Sequence, residues 1–340
     1  MMKQAIMTEP GKIVFKDVPV PPVGQGEIKV RMKRIGVCGS DIHVNHGKHP
    51  YTSYPVVQGH EVSAEVAEVG AGVEGFKPGD KVTIQPQVVC GECYPCTHGQ
   101  YNACEKLKVN GFQTTGMASD YFTVDASKAL KLPDSISFDH GAMIEPIACG
   151  IHAIGRYGDV KGKSVLVLGG GPIGNLLAQS CKALGAKNVL LSELSEYRLE
   201  VAAKCGISIV NPRKKNLKEA MDETFGSDGA DVIFECVGIN ETITQAIEYA
   251  RKGSDIVVVG VFAETANVNL GFVQDKELKL IGTAMFRENS FKKAIMLVKK
   301  GLIELDALIT DHVDFNEYER AYTLIDKQKD KAMKVMIVMD

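Results

Sequence analysis

Residues 163–193, KSVLVLGGGPIGNLLAQSCKALGAKNVLLSE, restrict this chain more than any other stretch, because they read in succession as strand, tight turn, helix and second strand. Residues 165–168 form a short apolar run of the kind buried in a parallel sheet, and Gly169, Gly171 and Gly174 follow in the order G-x-G-x-x-G. The first glycine permits a sharp turn, the second lets a pyrophosphate approach bare backbone, and the third lets the helix pack close to the strand. Free N–H groups at the helix start then face the phosphates. Pro172, followed by Ile173, stands where a missing N–H costs least, and Gly185 stands where a C-cap is expected. The second strand, Asn188–Ser192, ends at Glu193, at the distance expected of a carboxylate that accepts hydrogen bonds from an adenosine ribose. A glycine pattern alone is a weak signal. With a strand before it, a helix after it and an acid beyond, the unit reads as a dinucleotide site.

A length of 340 residues predicts two domains, each large enough for its own core. The net charge of −3 and the lack of any long charged run point away from nucleic acid and anionic membrane surfaces, and toward small molecules. No stretch approaches the roughly 18 apolar residues of a membrane span, and the opening MMKQAIMTEPGKIVF lacks an apolar core of signal-peptide length. A cytoplasmic protein is expected. Nine cysteines, four of them crowded between Cys90 and Cys104, suit metal binding in a reducing compartment better than a disulfide framework.

From residue 2 to about 132 the chain shows short β runs separated by turn signals such as PPVG, KPGD and LPDS. The runs are KQAIM, KIVFKDV, EIKVRMKRI, EVSAEVAEV, DKVTIQP and DYFTV, which predict a β barrel or sandwich. Residues 139–157 read as helix. Strands are then predicted near 163–168, 188–192, 207–210, 231–236, 255–260 and 278–282 with helices between, the rhythm of a doubly wound parallel sheet. Amphipathic helices over 291–300 and 318–327 and a closing strand, KVMIVM, form a tail expected to return to the first domain.

Cys90, Cys93, Cys96 and Cys104 give C-x-x-C-x-x-C-x7-C, a spacing at which four thiolates close a tetrahedron around one zinc and leave no open position. Such a lobe draws its order from the metal, since structural zinc contributes roughly 10–16 kcal/mol in small zinc peptides. A second set is dispersed: GVCGSDIH with Cys38, Ser40, Asp41 and His43, GHE with His60 and Glu61, and IEP with Glu145. One thiolate, one imidazole and one or two carboxylates leave room for a water or substrate oxygen, as a catalytic zinc requires. Taken singly, Cys38 reads as a buried thiol, His60 as a turn residue and Glu145 as a charge near a helix start.

Together, GVCGSDIH (36–43), YPVVQGHE (54–61), the four-cysteine lobe, IEP (144–146), the Gly169 turn and MFR (285–287) resemble the zinc-dependent medium-chain dehydrogenases, in their sorbitol, threonine and sugar-acid (L-galactonate or L-gulonate 5-dehydrogenase-like) branch. The resemblance runs end to end. It implies an α/β protein with a GroES-like β barrel over 1–150, carrying a structural-zinc lobe at 88–106, a Rossmann NAD-binding domain over 151–286, and a return to the first domain over 287–340. It implies Cys38, His60 and Glu61 as catalytic-zinc ligands, with Glu145 as a fourth ligand or as the holder of zinc-bound water, and Ser40 and His43 as a proton relay. Ile173, Glu193, Arg198, the turn Val259, Gly260, Val261, and Phe286 match cofactor contacts, and Arg287 matches a residue touching cofactor and substrate.

Two positions depart from the family pattern. Ala64 replaces a glycine after GHE, and Ala118, in GMASDY, replaces an aromatic residue that lines the pocket in sorbitol-type enzymes. Ala118 therefore predicts extra space beside the zinc, and Arg287 a planar fork for a carboxylate or paired hydroxyls. The expected reaction is reversible oxidation of a secondary alcohol of a polyol or six-carbon sugar acid, with one catalytic zinc, one structural zinc and NAD per chain. A homo-oligomer, dimer or tetramer, is expected. The rivals are an L-threonine 3-dehydrogenase, a metal-free quinone or enoyl reductase, and a non-enzymatic zinc or NAD redox sensor. The threonine branch typically carries G-R-x-M-F-E-T-W where this chain has GTAMFRENSF, which favours the polyol or sugar-acid reading.

Overall fold

A computed structural model describes residues 1–339. The chain forms two compact units. One comprises Met1–Glu145, Arg287–Ile295 and the described residues from Ile309 on; the other comprises Pro146–Phe286 and Met296–Leu308.

The first unit opens with strands β1 (Met2–Glu9), β2 (Lys12–Val18), β3 (Glu27–Gly36), β4 (Glu61–Val69), β5 (Lys81–Ile84), β6 (Gln87–Val88), β7 (Lys108–Val109), β8 (Tyr121–Asp125) and β9 (Ala129–Lys131). Two short helices, α1 (Gly39–Asn45) and α2 (Tyr94–Thr97), interrupt them, and α3 (Phe138–Ala142) follows β9. Along β3 the buried residues Ile28, Val30 and Met32 alternate with more exposed neighbours until a bulge against β4 between Met32 and Arg34 shifts the phase. Ile35, Gly36 and Val37 are then buried, so the end of the strand enters the core with Cys38 immediately after it.

The helix expected over 139–157 divides at Met143 into α3 and α4 (Ile144–Tyr157). Pro146 explains the break, because its ring conflicts with the carbonyl four residues back, at Ala142, and restricts the residue before it.

Beyond α4 the chain alternates β10 (Ser164–Leu168), α5 (Pro172–Ala183), β11 (Asn188–Ser192), α6 (Glu196–Lys204), β12 (Ser208–Val210), α7 (Leu217–Phe225), β13 (Val232–Glu235), α8 (Asn240–Tyr249), β14 (Asp255–Val258), α9 (Leu270–Asp275) and β15 (Lys279–Gly282). All six expected strands are present. They pair in parallel in the order β12-β11-β10-β13-β14-β15. Side-chain alternation divides the core between the two faces: Val165 and Val167 pack with α5 and α6 residues such as Leu177 and Leu199, while Leu166 and Leu168 pack with Leu217, Met221 and Ile247 of α7 and α8.

The last elements are α10 (Glu288–Lys299), β16 (Ile309–Asp314), α11 (Tyr318–Gln328) and β17 (Lys334–Val338). Strand β17 pairs antiparallel with β3 at Arg34–Gly36, while β8 takes the Glu27–Arg31 half of β3. The first-unit sheet thus runs β16-β17-β3-β4-β5-β9 with β8 also on β3. Strands β6, β7, β9 and β16 were not anticipated; the first three have only two or three residues, and β16, ITDHVD, is largely polar. Among the described residues no helix is long and apolar enough to cross a membrane.

Candidate active site and metal centres

The dispersed set of acids, His and Cys converges in the first unit. Cys38 is the N-cap of α1, His60 immediately precedes β4, and Glu61 is its first residue, paired in register with Gly36 of β3. A Cβ at Gly36 would collide with the Glu61 carboxylate, so the glycine makes the space the acid occupies. One ligand atom from each of Cys38, His60 and Glu61 falls within 4.8 Å of the others. His60 Nδ1 is buried with no hydrogen-bond partner, 3.5 Å from Asp41 Oδ1, and an orphaned ring nitrogen in a thiol and carboxylate setting fits a metal ligand.

Charge in this pocket is predominantly acidic. Asp41, Glu61 and Glu145 are all buried there, against Lys334 as the permanent cation. Glu145, in the first turn of α4, lies outside the 4.8 Å cluster. Burial pushes its pKa up to about 8, with repulsion from Glu61 and Asp41 adding and attraction from His60 and Lys334 opposing. Burial by itself lowers the pKa of His60, but the Asp41 charge, with a smaller contribution from Cys38, outweighs it and holds the imidazole well above its ordinary value. A divalent cation relieves this excess of acidic groups. Ser40 is half-buried in the first turn of α1 and His43 is exposed in its last.

The four-cysteine lobe is also assembled. Cys104 Sγ lies 3.5 Å from Cys90 Sγ and 3.8 Å from Cys93 Sγ, and Cys90 and Cys96 sulfurs are 4.0 Å apart. A tetrahedron with Zn–S of about 2.3 Å has edges of about 3.8 Å, so these sulfurs fit a closed zinc site. Backbone N–H groups of Cys90 and Lys106 donate to Cys104 Sγ, and that of Cys93 donates to Cys90 Sγ. Hydrogen bonds from the backbone N–H groups of Glu92 and Cys93 lower the Cys90 pKa to about 6, which favours the thiolate.

In the second unit, Gly169 has φ of +100° at the end of β10, and a Cβ on Gly174 would strike the Gly169 carbonyl. Gly171, the N-cap of α5 with Pro172 following, has only Arg198 Nη1 at 4.0 Å near the position of a missing Cβ, which leaves the open backbone a pyrophosphate needs. Ile173 is half-buried in the first turn of α5. Glu193 follows β11; its Oε2 accepts from Gly170 N at 2.8 Å, and its Oε1 accepts from Leu194 N and Ser195 N at 2.6 and 2.9 Å. Arg198 Nη1 is 3.6 Å from Glu193 Oε2, and its Nε is buried without a partner.

Sequence reasoning missed Glu235 at the end of β13. This carboxylate is wholly buried, and its Oε1 accepts from Val237 N, Gly238 N and Thr242 Oγ1 at 2.7–2.8 Å. Its carbonyl accepts from Val259 N and Gly260 N, which ties the turn Val259, Gly260, Val261 to the end of β13. Val261 is 87% exposed. An acid at the end of an apolar strand, followed by a Cys-Val-Gly turn, was the available signal.

Ala118 is buried in the first-unit core, its backbone hydrogen-bonded to Ala5 and Gln58. It lines none of the wall of a cavity of about 620 Å³ formed by residues including Tyr51, Ser53, Phe112, Gln113 and Thr115. Phe112, another residue the sequence did not single out, packs on His60 at 4.9 Å and stacks on His49 at 4.7 Å between ring centroids. It is the aromatic wall beside the mixed ligand set. Phe286 is fully buried, and Arg287 Nε donates to Asn102 Oδ1 at 2.8 Å.

Two family models match this chain: an alcohol dehydrogenase GroES-like domain over residues 24–134 and a zinc-binding dehydrogenase over 172–300. A 2-dehydro-3-deoxy-L-galactonate 5-dehydrogenase of Pseudoalteromonas atlantica is 34% identical, the match covering 92% of this chain and 91% of the relative. A sorbitol dehydrogenase of Bacillus subtilis is 30% identical over 99% of this chain and 97% of its own. The structure of an Escherichia coli alcohol dehydrogenase complexed with NADH superposes with a TM-score of 0.92 at 31% identity, covering 99% of both chains.

Proposed function

The chain belongs to the zinc-dependent medium-chain alcohol dehydrogenases, in their polyol and sugar-acid branch, and from that premise we propose that it interconverts a secondary alcohol of a polyol or six-carbon sugar acid and the matching ketone, with NAD as redox partner. The observation that carries the reading is the meeting of Cys38, His60 and Glu61 within 4.8 Å in a buried acidic pocket.

Those three residues would hold the catalytic zinc, with Glu145 as a fourth ligand or as the partner of the open position, and Cys90, Cys93, Cys96 and Cys104 would hold a structural zinc. When bound, the catalytic metal would supply Lewis acidity toward a substrate hydroxyl, and NAD would supply the hydride acceptor. Ser40 would accept the hydroxyl proton while passing its own on toward His43, three residues along the same helix, whose imidazole would take it up and release it to solvent. Phe112 keeps one side of the ligand set apolar. Gly169, Gly171, Pro172, Ile173 and Gly174 receive the pyrophosphate, and Glu193 receives the ribose hydroxyls. Arg198, the Val259, Gly260, Val261 turn and Phe286 complete the cofactor contacts, and Arg287 serves cofactor and substrate together. Ala118, buried in the first-unit core, is kept as a substrate-size position on the family pattern alone.

We take 1–150 as the catalytic domain, 151–286 as the nucleotide-binding domain and 287–340 as the returning segment; the pairing of β17 with β3 supports the last. A cytoplasmic setting agrees with nine free cysteines. A homo-oligomer agrees with β15, an edge strand bearing the exposed Leu280. The test is turnover of purified zinc-loaded protein with NAD against polyols, aldonates and amino acids. Turnover confined to amino acids, or none with any alcohol, overturns the reading.

A further inference from the structure

We propose that the four-cysteine lobe acts as a positioning element for Arg287, with Asn102 as the residue through which it acts; this rests on the reading that Arg287 meets substrate. The single helical turn Tyr101–Ala103 lies between the third and fourth cysteines and closes directly on Cys104, whose N–H donates to the Tyr101 carbonyl at 3.1 Å. Both side chains that lead this turn reach the segment after Phe286. Asn102, only 5% exposed, accepts the Arg287 Nε–H at 2.8 Å, and Tyr101 Oη accepts the Glu288 backbone N–H at 2.6 Å.

The chemistry of the grip fits a positioning role. Nε is the inner donor of the guanidinium, so a bond there fixes the plane of the group and leaves its four Nη–H donors uncommitted to Asn102. An amide carbonyl is also neutral, so the full positive charge of Arg287 remains available to an anionic ligand. The Tyr101 bond holds the backbone at the start of α10, directly beside Arg287. Backbone and guanidinium are thus both referenced to a turn whose own order depends on the cysteine set. Metal in the lobe then contributes to substrate affinity and not to folding alone.

The test pairs kinetics with amide exchange on full-length, zinc-loaded protein. Asn102→Ala should raise the KM for the six-carbon sugar acid that the native protein turns over best about tenfold with kcat little changed, while zinc content stays native. Asn102→Asp, which keeps an acceptor but pairs the guanidinium with a carboxylate, should also raise the KM for the acid. In an Arg287→Ala background Asn102→Ala should have no further effect. Tyr101→Phe should speed exchange of the Glu288 amide about tenfold. A native KM in Asn102→Ala, or the same KM increase in the Arg287→Ala background, overturns the coupling while leaving Arg287 as a substrate contact. A native KM in Arg287→Ala itself means that Arg287 does not meet substrate, and this inference then falls with that assignment. Unchanged Glu288 exchange in Tyr101→Phe overturns the backbone half of the grip and leaves Asn102 as the lobe's one contact in the proposal.

Discussion

Lys334 Nζ lies 2.5 Å from Glu61 Oε2 and 3.2 Å from the Val37 carbonyl oxygen, and both side chains are at most 3% exposed. The ion pair joins the last strand of the chain to a predicted metal ligand at the head of β4. Removing one partner leaves a buried charge uncompensated, so Lys334→Met should destabilise the protein by about 3–5 kcal/mol, measured by denaturant titration. Lys334→Arg, which keeps the charge, should recover most of this. Equal stability of Lys334→Met and native protein would mean that Glu61 is neutralised in some other way.

The two ligand sets predict two zinc ions per chain with unequal lability. An open site with mixed ligands is less closed than four thiolates, so graded chelation should empty the Cys38, His60 and Glu61 site first. Elemental analysis along the titration reads this directly. One zinc or none in carefully prepared protein would sink the assignment.

These two cases mark how far the sequence was legible. The six parallel strands, the Gly169 turn and the cysteine lobe are local patterns, each spelled within a few tens of residues. Cys38, His60 and Glu61 were candidates because the family resemblance links the short runs around them, and the structure brings one ligand atom from each within 4.8 Å. Lys334 was not, since it meets Glu61 across 273 positions and looks from sequence like any lysine opening a strand. Asn102 and Phe112 were hidden in the same way: their partners Arg287 and His60 are set by the tertiary fold. Ala118 was assigned from a family pattern, and the structure buries it in the core, where an aromatic residue cannot be inferred from spacing.

Cofactor preference follows from Glu193. A carboxylate already held by three backbone N–H groups attracts ribose hydroxyls and repels a 2′-phosphate, so catalytic efficiency with NAD should exceed that with NADP by about tenfold or more. Glu193→Ser should narrow the ratio, with Arg198 left free to meet the phosphate. Steady-state kinetics with both cofactors decides it, and a native preference for NADP would place Glu193 elsewhere in function.

A pH effect on stability is expected at Asp80, in the KPGD turn. Its carboxylate pairs with Lys131 Nζ at 2.6 Å and accepts from Lys77 N at 2.8 Å. Burial raises its pKa, but these bonds outweigh burial and hold it below its ordinary value of 3.8. The folded state therefore binds this proton less readily than the unfolded chain. Its contribution, about 1 kcal/mol, is present above pH 4 and lost as pH falls through the folded-state pKa. The stability gap between native protein and Asp80→Asn should accordingly shrink on acidification in parallel melts; a gap independent of pH would show that the pairing contributes nothing.

Substrate charge gives the last prediction. The cavity beside Phe112 is lined by Tyr51, Ser53, Gln113, Thr114, Thr115 and apolar neighbours, with no charged residue among them, so it accommodates hydroxyl groups but cannot by itself select an acid. Selection for a carboxylate then depends on Arg287, whose Nε bond to Asn102 leaves its charge unpaired by any carboxylate partner in that bond. A hexonate oxidised near its far end should therefore outperform the corresponding neutral polyol in the native enzyme. Arg287→Ala should lower efficiency with the acid by about ten- to a hundredfold and affect the polyol much less, because a charge-assisted contact is worth more than a neutral one. Equal losses for both substrates would assign Arg287 to the cofactor or to hydroxyl binding. A native preference for the polyol would leave the hydroxyl-lined cavity as the determinant and refute the sugar-acid version.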